Sequence, residues 1–199
     1  MKALAIALAV LALLLLGAAG AALFVFRGGI SAKLEPTPLE KIVARRLLRA
    51  GIPRAARDLR SPSSATREAV ARGRAHFADH CAICHANDGS GRTEMGRNLH
   101  PRAPDLRMAP TQDLTDGELF YIVENGIRLT GMPGFGDGSE EGKQQTWHLV
   151  AFLRHLPRLT PAEKVEMERL NPKSPEEWRE MREDEEFLQG KQSKERNGR

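Results

Sequence analysis

The sequence is poor in aromatic residues and in cysteine. The first shortage limits how a core can be filled, and the second limits which cysteine sites the chain can form. Aromatic side chains make up only 5% of its 199 residues, so a folded domain has few large rings to fill a core. The only two cysteines, Cys81 and Cys84, stand three residues apart. A disulfide between them would close a tiny loop and stabilise the chain little.

The two cysteines belong to the stretch Cys81-Ala82-Ile83-Cys84-His85. Two thiols at this spacing, followed at once by an imidazole, suit the covalent attachment of a c-type haem. The thiols would bond to the two vinyl groups, and the imidazole would ligate the iron from one face. A haem would also supply the apolar volume that aromatic side chains do not. Because the sequence holds one such stretch, we expect one haem per chain.

Two other functions of a C-x-x-C pair fit the sequence less well. A thioredoxin-like redox pair belongs to a βαβ unit, and no strand-rich pattern surrounds Cys81 and Cys84. A structural zinc site needs four ligands, and the remaining histidines form no second knuckle. His76 and His80 lie four residues apart, but without a third ligand we interpret them as part of a helix surface.

Residues 1–27 form a transmembrane anchor or an export signal. No charged residue occurs from Ala3 to Phe26, and this run exceeds the ~20 apolar residues that a spanning helix needs. Small residues at 19–21 would allow cleavage by a signal peptidase. Cleavage there would leave an apolar mature terminus, so we favour an uncleaved anchor.

Residues 28–65 combine a spacer with a basic amphipathic helix over residues 39–50. Residues 1–65 carry ten basic against three acidic side chains, +7 net, whereas residues 66–160 carry −1 and residues 161–199 carry −2. We expect the apolar stripe of this helix to pack on the domain that follows. Attachment to anionic headgroups is the alternative. No nucleic-acid partner is expected, because this segment would lie outside the cytoplasm and aromatic residues are not interleaved with its charges.

Residues 66–160 have the pattern of an all-α domain. Ser64 or Thr66 can cap a helix that runs into the cysteine motif, and Gly73 within it indicates close approach of a second helix. Thr115 with Glu118 forms a capping box for the next long helix, and another is expected over residues 144–156. A loop rich in Gly and Pro at 131–136 displays Met132.

These motifs occur in the order found in one known family. The stretch from about 66 to 159 resembles a class I, His/Met-ligated monohaem cytochrome c domain, closest to the haem subunits of cbb3-type oxidases. The resemblance rests on six features in sequence order: G-x-x-x-F at 73–77, C-x-x-C-H at 81–85, A-P-D-L at 103–106, E-L-F through N-G-I at 118–127, T-G-M-P-G-F-G at 130–136 and the helix of Trp147. One departure is Ala86, where relatives often have Gly.

The resemblance implies a role for each matching residue. Cys81 and Cys84 would form the thioethers, while His85 and Met132 would be the axial ligands of the iron. The carbonyl of Pro104 would accept a hydrogen bond from the His85 ring. Phe77 and Trp147 would line the pocket, where two helices cross. Met95, Met108 and His100 are the other candidates for the sixth ligand.

The resemblance also implies a function. We expect a membrane-tethered electron carrier, not an enzyme, that moves single electrons between extracytoplasmic redox proteins or within a respiratory complex. It would be a single-pass protein of the inner membrane with its haem domain in the periplasm, and it would need no small-molecule substrate. Alternatives are a haem enzyme or gas or redox sensor with an open iron site, and an accessory haem subunit of a larger complex.

The last part of the chain, residues 161–199, is predicted to be a charged helical tail. Thr160-Pro161 and Ser174-Pro175 each place a cap, a proline at the first helical position and a glutamate two residues beyond it. Two short helices should therefore follow the domain, and the polar residues from Gly190 onward should be disordered. The pattern does not decide whether this tail contacts the domain.

Overall fold

The computed structural model describes residues 2–27, 31, 33–62 and 66–188. Within these residues the chain is entirely helical and contains no β-strand, as predicted for an all-α protein. The predicted disorder from Gly190 onward lies outside the described residues. The helices are α1 (Lys2–Arg27), α2 (Pro38–Gly51), α3 (Arg54–Arg57), α4 (Arg67–His76), α5 (Ala82–His85), α6 (Glu94–Asn98), α7 (Ala109–Gln112), α8 (Asp116–Asn125), α9 (Glu140–His155), α10 (Pro161–Leu170) and α11 (Pro175–Leu188).

Helix α1 is long and apolar enough to cross a membrane. Its 22-residue stretch Lys2–Leu23 has a mean hydropathy of 2.6, and none of it is buried against the rest of the chain. At 1.5 Å per residue, α1 is about 39 Å long, compared with a hydrocarbon core of about 30 Å. An export signal near the N-terminus has the same character.

The domain that carries the cysteine motif is built on the crossing of α4 and α9. A Cβ on Gly73 would overlap the carbonyl oxygen of His148, and it would lie 2.9 Å from the Cβ of Phe152. Only glycine therefore permits this approach of the two backbones. One turn later, Phe77 packs on Phe152 with ring centroids 5.2 Å apart, and both side chains are almost fully buried. The predicted contact between these helices is confirmed.

Helix α8 closes the same core from another side. Its capping box joins Thr115 and Glu118 as predicted, and Phe120 stacks on Trp147 of α9 with centroids 4.3 Å apart. The helix ends at Gly126, which has a φ of 68°. Helix α9 begins four residues earlier than predicted, because Ser139 caps it by accepting a hydrogen bond from the Gly142 N–H at 2.9 Å.

Helix α2 contradicts one expectation. The helix forms where predicted, and Thr37 caps it with Pro38 at the first position. None of its residues is buried, and Leu39, Ile42 and Leu47 are 69%, 50% and 66% exposed. The prediction that the apolar stripe packs on the domain is therefore wrong, because the chain attaches to the domain through the segment after the helix instead.

That attachment is made by Ile52 and α3. Ile52 and Ala56 are 3% and 7% exposed, and a Cβ on Gly117 of α8 would overlap the carbonyl oxygen of Ala56. Thr115 Oγ1 donates to the Arg57 carbonyl at 3.1 Å, and Arg57 Nε lies 3.6 Å from a carboxylate oxygen of Glu118. The N-terminal extension is thus fixed to the start of α8.

The two helices of the tail differ in their contacts. Helix α10 packs on the domain: Met167 is fully buried, and Arg74 of α4 pairs with Glu163 at 2.8 Å and Glu166 at 2.7 Å. In the amide orientation that satisfies both its atoms, Asn171 donates to the Ala78 carbonyl at 3.1 Å. The described side chains of α11 are exposed. The first tail helix is therefore part of the packed unit.

Candidate haem site

The cysteine motif lies on a continuous helical segment. Helix α4 passes into one π-helical turn, Phe77–Cys81, which leads directly into α5, Ala82–His85. The π turn is stabilised by the packing of Phe77 and Ala78, both 1% exposed. Side chains three positions apart on a helix share a face, so Cys81 and Cys84 are presented together, with His85 at the end of the same turn.

The chain leaves this helix through Ala86, which has a φ of 60°. Glycine adopts a positive φ without strain, whereas alanine does so at a cost. This is the position at which the resemblance expects glycine. The chain therefore keeps the turn although it lacks the residue that favours it.

Both cysteines are free and half-buried. Burial raises the pKa of Cys81 to about 12, and burial also raises the pKa of Cys84. Both groups are therefore neutral thiols at physiological pH. A thioredoxin-like pair needs a thiolate with a lowered pKa, so the structure disfavours that function.

His85 is a half-buried imidazole, and its Nδ1 atom is buried without a hydrogen-bond partner in the described residues. Burial lowers its pKa, while the carbonyl of Pro104 raises it by a smaller amount. The ring is therefore neutral at pH 7, which is the form that ligates metals. Its centroid lies 6.4 Å from that of Phe77. The effect of the Pro104 carbonyl on the pKa shows that this carbonyl lies near the ring.

The loop after the motif folds back against it. The Gly91 N–H donates to the His85 carbonyl at 2.8 Å, and Thr93 Oγ1 donates to the Cys84 carbonyl at 3.1 Å. A Cβ on Gly91 would overlap the carbonyl oxygen of Ala103. These contacts bring the segment 103–106 beside the motif, which places Pro104 next to His85.

Ion pairs hold the far end of this loop. Arg107 donates to Asp105 at 2.6 Å and to Asp88 at 3.1 Å. Hydrogen bonds from Arg107 lower the pKa of Asp105 despite its partial burial. The sequence alone does not indicate this triad, because residues 88 and 107 come together only when the loop has folded.

Met132 lies in a loop that is hydrogen-bonded to the end of α8. The Ile127 N–H donates to the Met132 carbonyl at 3.1 Å, and the Phe135 N–H donates to the Val123 carbonyl at 2.9 Å. A Cβ on Gly134 would come within 2.8 Å of the backbone of α8. The close approach of Gly134 and these two hydrogen bonds hold the loop of Met132 against the end of α8.

The other candidates for the sixth ligand are more exposed than Met132. Met95 and Met108 are 50% and 57% exposed, and His100 is also exposed, whereas Met132 is half-buried. Arg102 pairs with Glu35 and donates to the Lys33 carbonyl at 3.1 Å.

No alternative metal site competes with this arrangement in the described part of the chain, where no three His, Cys, Asp or Glu side chains converge as a metal-ion site. The rings of His76 and His80 lie 4.8 Å apart at the surface. The donor set of two neutral thiols and one neutral, oriented imidazole fits a c-type haem.

An all-helical domain with crossed terminal helices and C-x-x-C-H at the end of the first is typical of a cytochrome c domain. The family model described as Cytochrome C oxidase, cbb3-type, subunit III matches residues 68–153. This match supports a monohaem cytochrome c domain over residues 68–153, and the predicted resemblance to such a domain is confirmed. Domains of this type bind haem covalently and serve in electron transfer. No curated protein matches the chain.

Proposed function

We propose that residues 66–160 carry one haem c and pass single electrons between extracytoplasmic redox partners. Helix α1 would tether the domain to the inner membrane, with the haem domain in the periplasm. The observation that carries this proposal is the joint presentation of two neutral thiols and a neutral imidazole by one helical segment, within a stretch that matches a cytochrome c family.

Each ligand has a defined task in this proposal. Cys81 and Cys84 would hold the haem through two thioether bonds to its vinyl groups. His85 and the Met132 thioether would ligate the iron, and the Pro104 carbonyl would accept a hydrogen bond from the His85 ring and fix its orientation. When bound, the haem supplies the one-electron redox couple. Thioether ligation favours a high reduction potential, which suits a donor to a terminal acceptor.

Replacement of Met132 tests the sixth ligand. Met132→Ala should abolish the near-red charge-transfer band of the ferric protein and allow the reduced protein to bind carbon monoxide rapidly. Met95→Ala is the matched control, since Met95 lies on helix α6 with its side chain 50% exposed, and it should leave both properties unchanged. If the band survived in Met132→Ala, the assignment of Met132 would be refuted.

The same measurement on the unmodified protein separates a carrier from an enzyme or a gas sensor. A six-coordinate carrier should bind carbon monoxide slowly and weakly, because the thioether must leave first. Rapid, tight binding to the unmodified protein would favour the open-site alternatives.

A role as a haem subunit of a larger complex is a second candidate, since the description of the matching family names an oxidase subunit. Isolation of the full chain in a mild detergent tests it. Association with a larger haem-containing oxidase would support this role, whereas a single free chain would favour the independent carrier.

A further inference from the structure

Helix α2 presents an apolar surface that the described part of the chain does not cover. It is 14 residues long and has no buried residue. Leu39, Ile42, Val43 and Leu47 are between 46% and 69% exposed. An isolated helix of this length is marginal in water. A capping box at Thr37 helps it, but its main stabilisation must come from a surface that covers the apolar side chains.

The charges of α2 identify the nature of that surface. At about 100° per residue, Leu39, Val43 and Leu47 fall in one arc of the helix. The neighbouring arc is basic, and its residues are Lys41, Arg45 and Arg49. The helix has four basic residues against Glu40 alone. An apolar arc bordered by cations matches the interface of an anionic bilayer, where acyl chains lie beside phosphate groups.

The position of α2 in the chain favours lipid over any other cover. Helix α1 ends at Arg27 and α2 begins at Pro38, so the ten residues between them span at most about 35 Å. A membrane that contains α1 is therefore within reach of α2. Arg46 lies inside the apolar arc, and its long side chain can extend to the headgroups.

The far end of α2 is clamped to the haem domain. The Arg57 guanidinium donates to the carbonyls of Arg49 and, at 3.3 Å, Ile52, and its Nε faces Glu118 of α8 at 3.6 Å. Ile52 is 3% exposed. A surface that binds α2 therefore also sets the orientation of the domain.

We propose that α2 lies on the anionic membrane surface from which α1 emerges and holds the haem domain there in a fixed orientation. The proposal rests on the proposed tether through α1. It adds a lipid-binding site formed by the apolar arc and the cations of α2, outside the haem pocket.

Hydrogen exchange of the haem-loaded full chain in vesicles tests this site. The protein is reconstituted into phosphatidylcholine alone or into equal parts of phosphatidylcholine and phosphatidylglycerol. Amides of residues 39–51 should exchange about tenfold more slowly in the anionic vesicles, and high salt should reduce the difference. Helix α11, which is exposed but predominantly acidic, is the internal control and should exchange equally in both.

Two variants and their controls separate charge from apolar contact. Arg45→Gln with Arg46→Gln should remove most of the protection, since each cation contributes about fivefold to surface binding. Arg179→Gln with Arg182→Gln removes the same charge from α11 and should change nothing. Val43→Gln should also reduce protection, whereas Val165→Gln, 49% exposed on α10, should not.

Flotation with the vesicles distinguishes failure of this site from failure of the tether. Flotation with both vesicle types and no protection of α2 would overturn the lipid site and retain the tether. Flotation with the anionic vesicles alone, with α2 protected, would overturn the tether and retain the site, and flotation with neither would overturn both. Equal protection in both vesicle types, with crosslinks between two chains, would assign the surface to a second copy and refute the lipid site.

Discussion

Helices α2 and α9 are both amphipathic and both begin with a hydroxyl cap, yet they end in opposite environments. Helix α9 buries Trp147, Leu149, Val150, Phe152 and Leu153, whereas α2 buries nothing. The difference lies in what faces them. Helix α9 meets a glycine at the crossing with α4, while no described part of the chain packs on the apolar arc of α2.

This contrast shows what amphipathic spacing can specify. The spacing defines an apolar face, but the element that covers the face is determined by other parts of the chain. In α9 the apolar face is covered by α4, through Gly73 and Phe77, and by α8, through Phe120. In α2 the cover must come from outside the domain.

The largest predicted effect compares one apolar truncation in each helix. Phe152→Ala removes a fully buried ring and should lower the free energy of unfolding by about 3–5 kcal/mol. Leu47→Ala removes a side chain that is 66% exposed and should change it by at most about 0.5 kcal/mol. Urea unfolding of the haem-loaded protein, followed by helical circular dichroism, measures both.

A comparable loss of unfolding free energy in both variants would contradict the predicted difference between α2 and α9, because α2 would then belong to the cooperative core. The measurement is made in detergent without anionic lipid, so that the surface of α2 stays uncovered.

Much of the fold was predictable because it depends on local chemistry. Thr115 and Glu118 predict the start of α8, and Gly73 at the centre of a helix predicts its crossing with another. The ligand motif of the candidate site is also contiguous, so Cys81, Cys84 and His85 could be named from sequence. Their roles toward haem stay predictions.

The parts that sequence did not reveal depend on contacts between distant residues. The docking of Ala56 on Gly117 needs two backbones to meet, and neither residue is unusual by itself. The positive φ of Ala86 is set by the closed loop and not by its side chain. Burial of Met167 likewise depends on where α10 folds.

The next prediction makes the same substitution, glycine to alanine, at the crossing of α4 with α9 and at the end of α2. Gly73→Ala puts a methyl group against the His148 carbonyl, and the helices must separate. This should cost about 3 kcal/mol, the upper end of the range for overpacking. Gly51→Ala, at the end of α2, meets nothing within 4 Å and should be neutral or stabilising by up to about 1 kcal/mol. Thermal unfolding of both variants measures the difference, and equal effects would refute the crossing.

Helices α10 and α11 begin with the same capping pattern but differ in their contacts with the domain. Both begin with a hydroxyl residue, a proline and a glutamate, Glu163 in α10 and Glu177 in α11. Glu163 also contacts the domain, at 2.8 Å from Arg74 and 2.9 Å from His155. Glu177 bonds only within its own cap among the contacts described.

The smallest predicted effect follows from this difference and depends on pH. Burial raises the pKa of Glu163, but hydrogen bonds from Thr160 and His155 outweigh it and lower the pKa to about 2. A lowered carboxyl pKa stabilises the folded state above the unfolded value of 4.5, and this stabilisation is lost as pH falls toward 2. It amounts to roughly 2 kcal/mol, after allowance for solvent screening.

Glu163→Gln keeps the shape of the cap and removes the charge, so it should lower stability at pH 7 and flatten its decline between pH 4.5 and 2. Glu177→Gln makes the same change in α11 and should leave the pH profile of the domain unaltered. Denaturant midpoints measured across this pH range give both profiles. If the two variants had the same profile, the contacts of Glu163 with the domain would contribute nothing to stability. If only Glu163→Gln alters the profile, the contacts with Arg74 and His155 are what distinguish Glu163 from Glu177 in an otherwise similar cap.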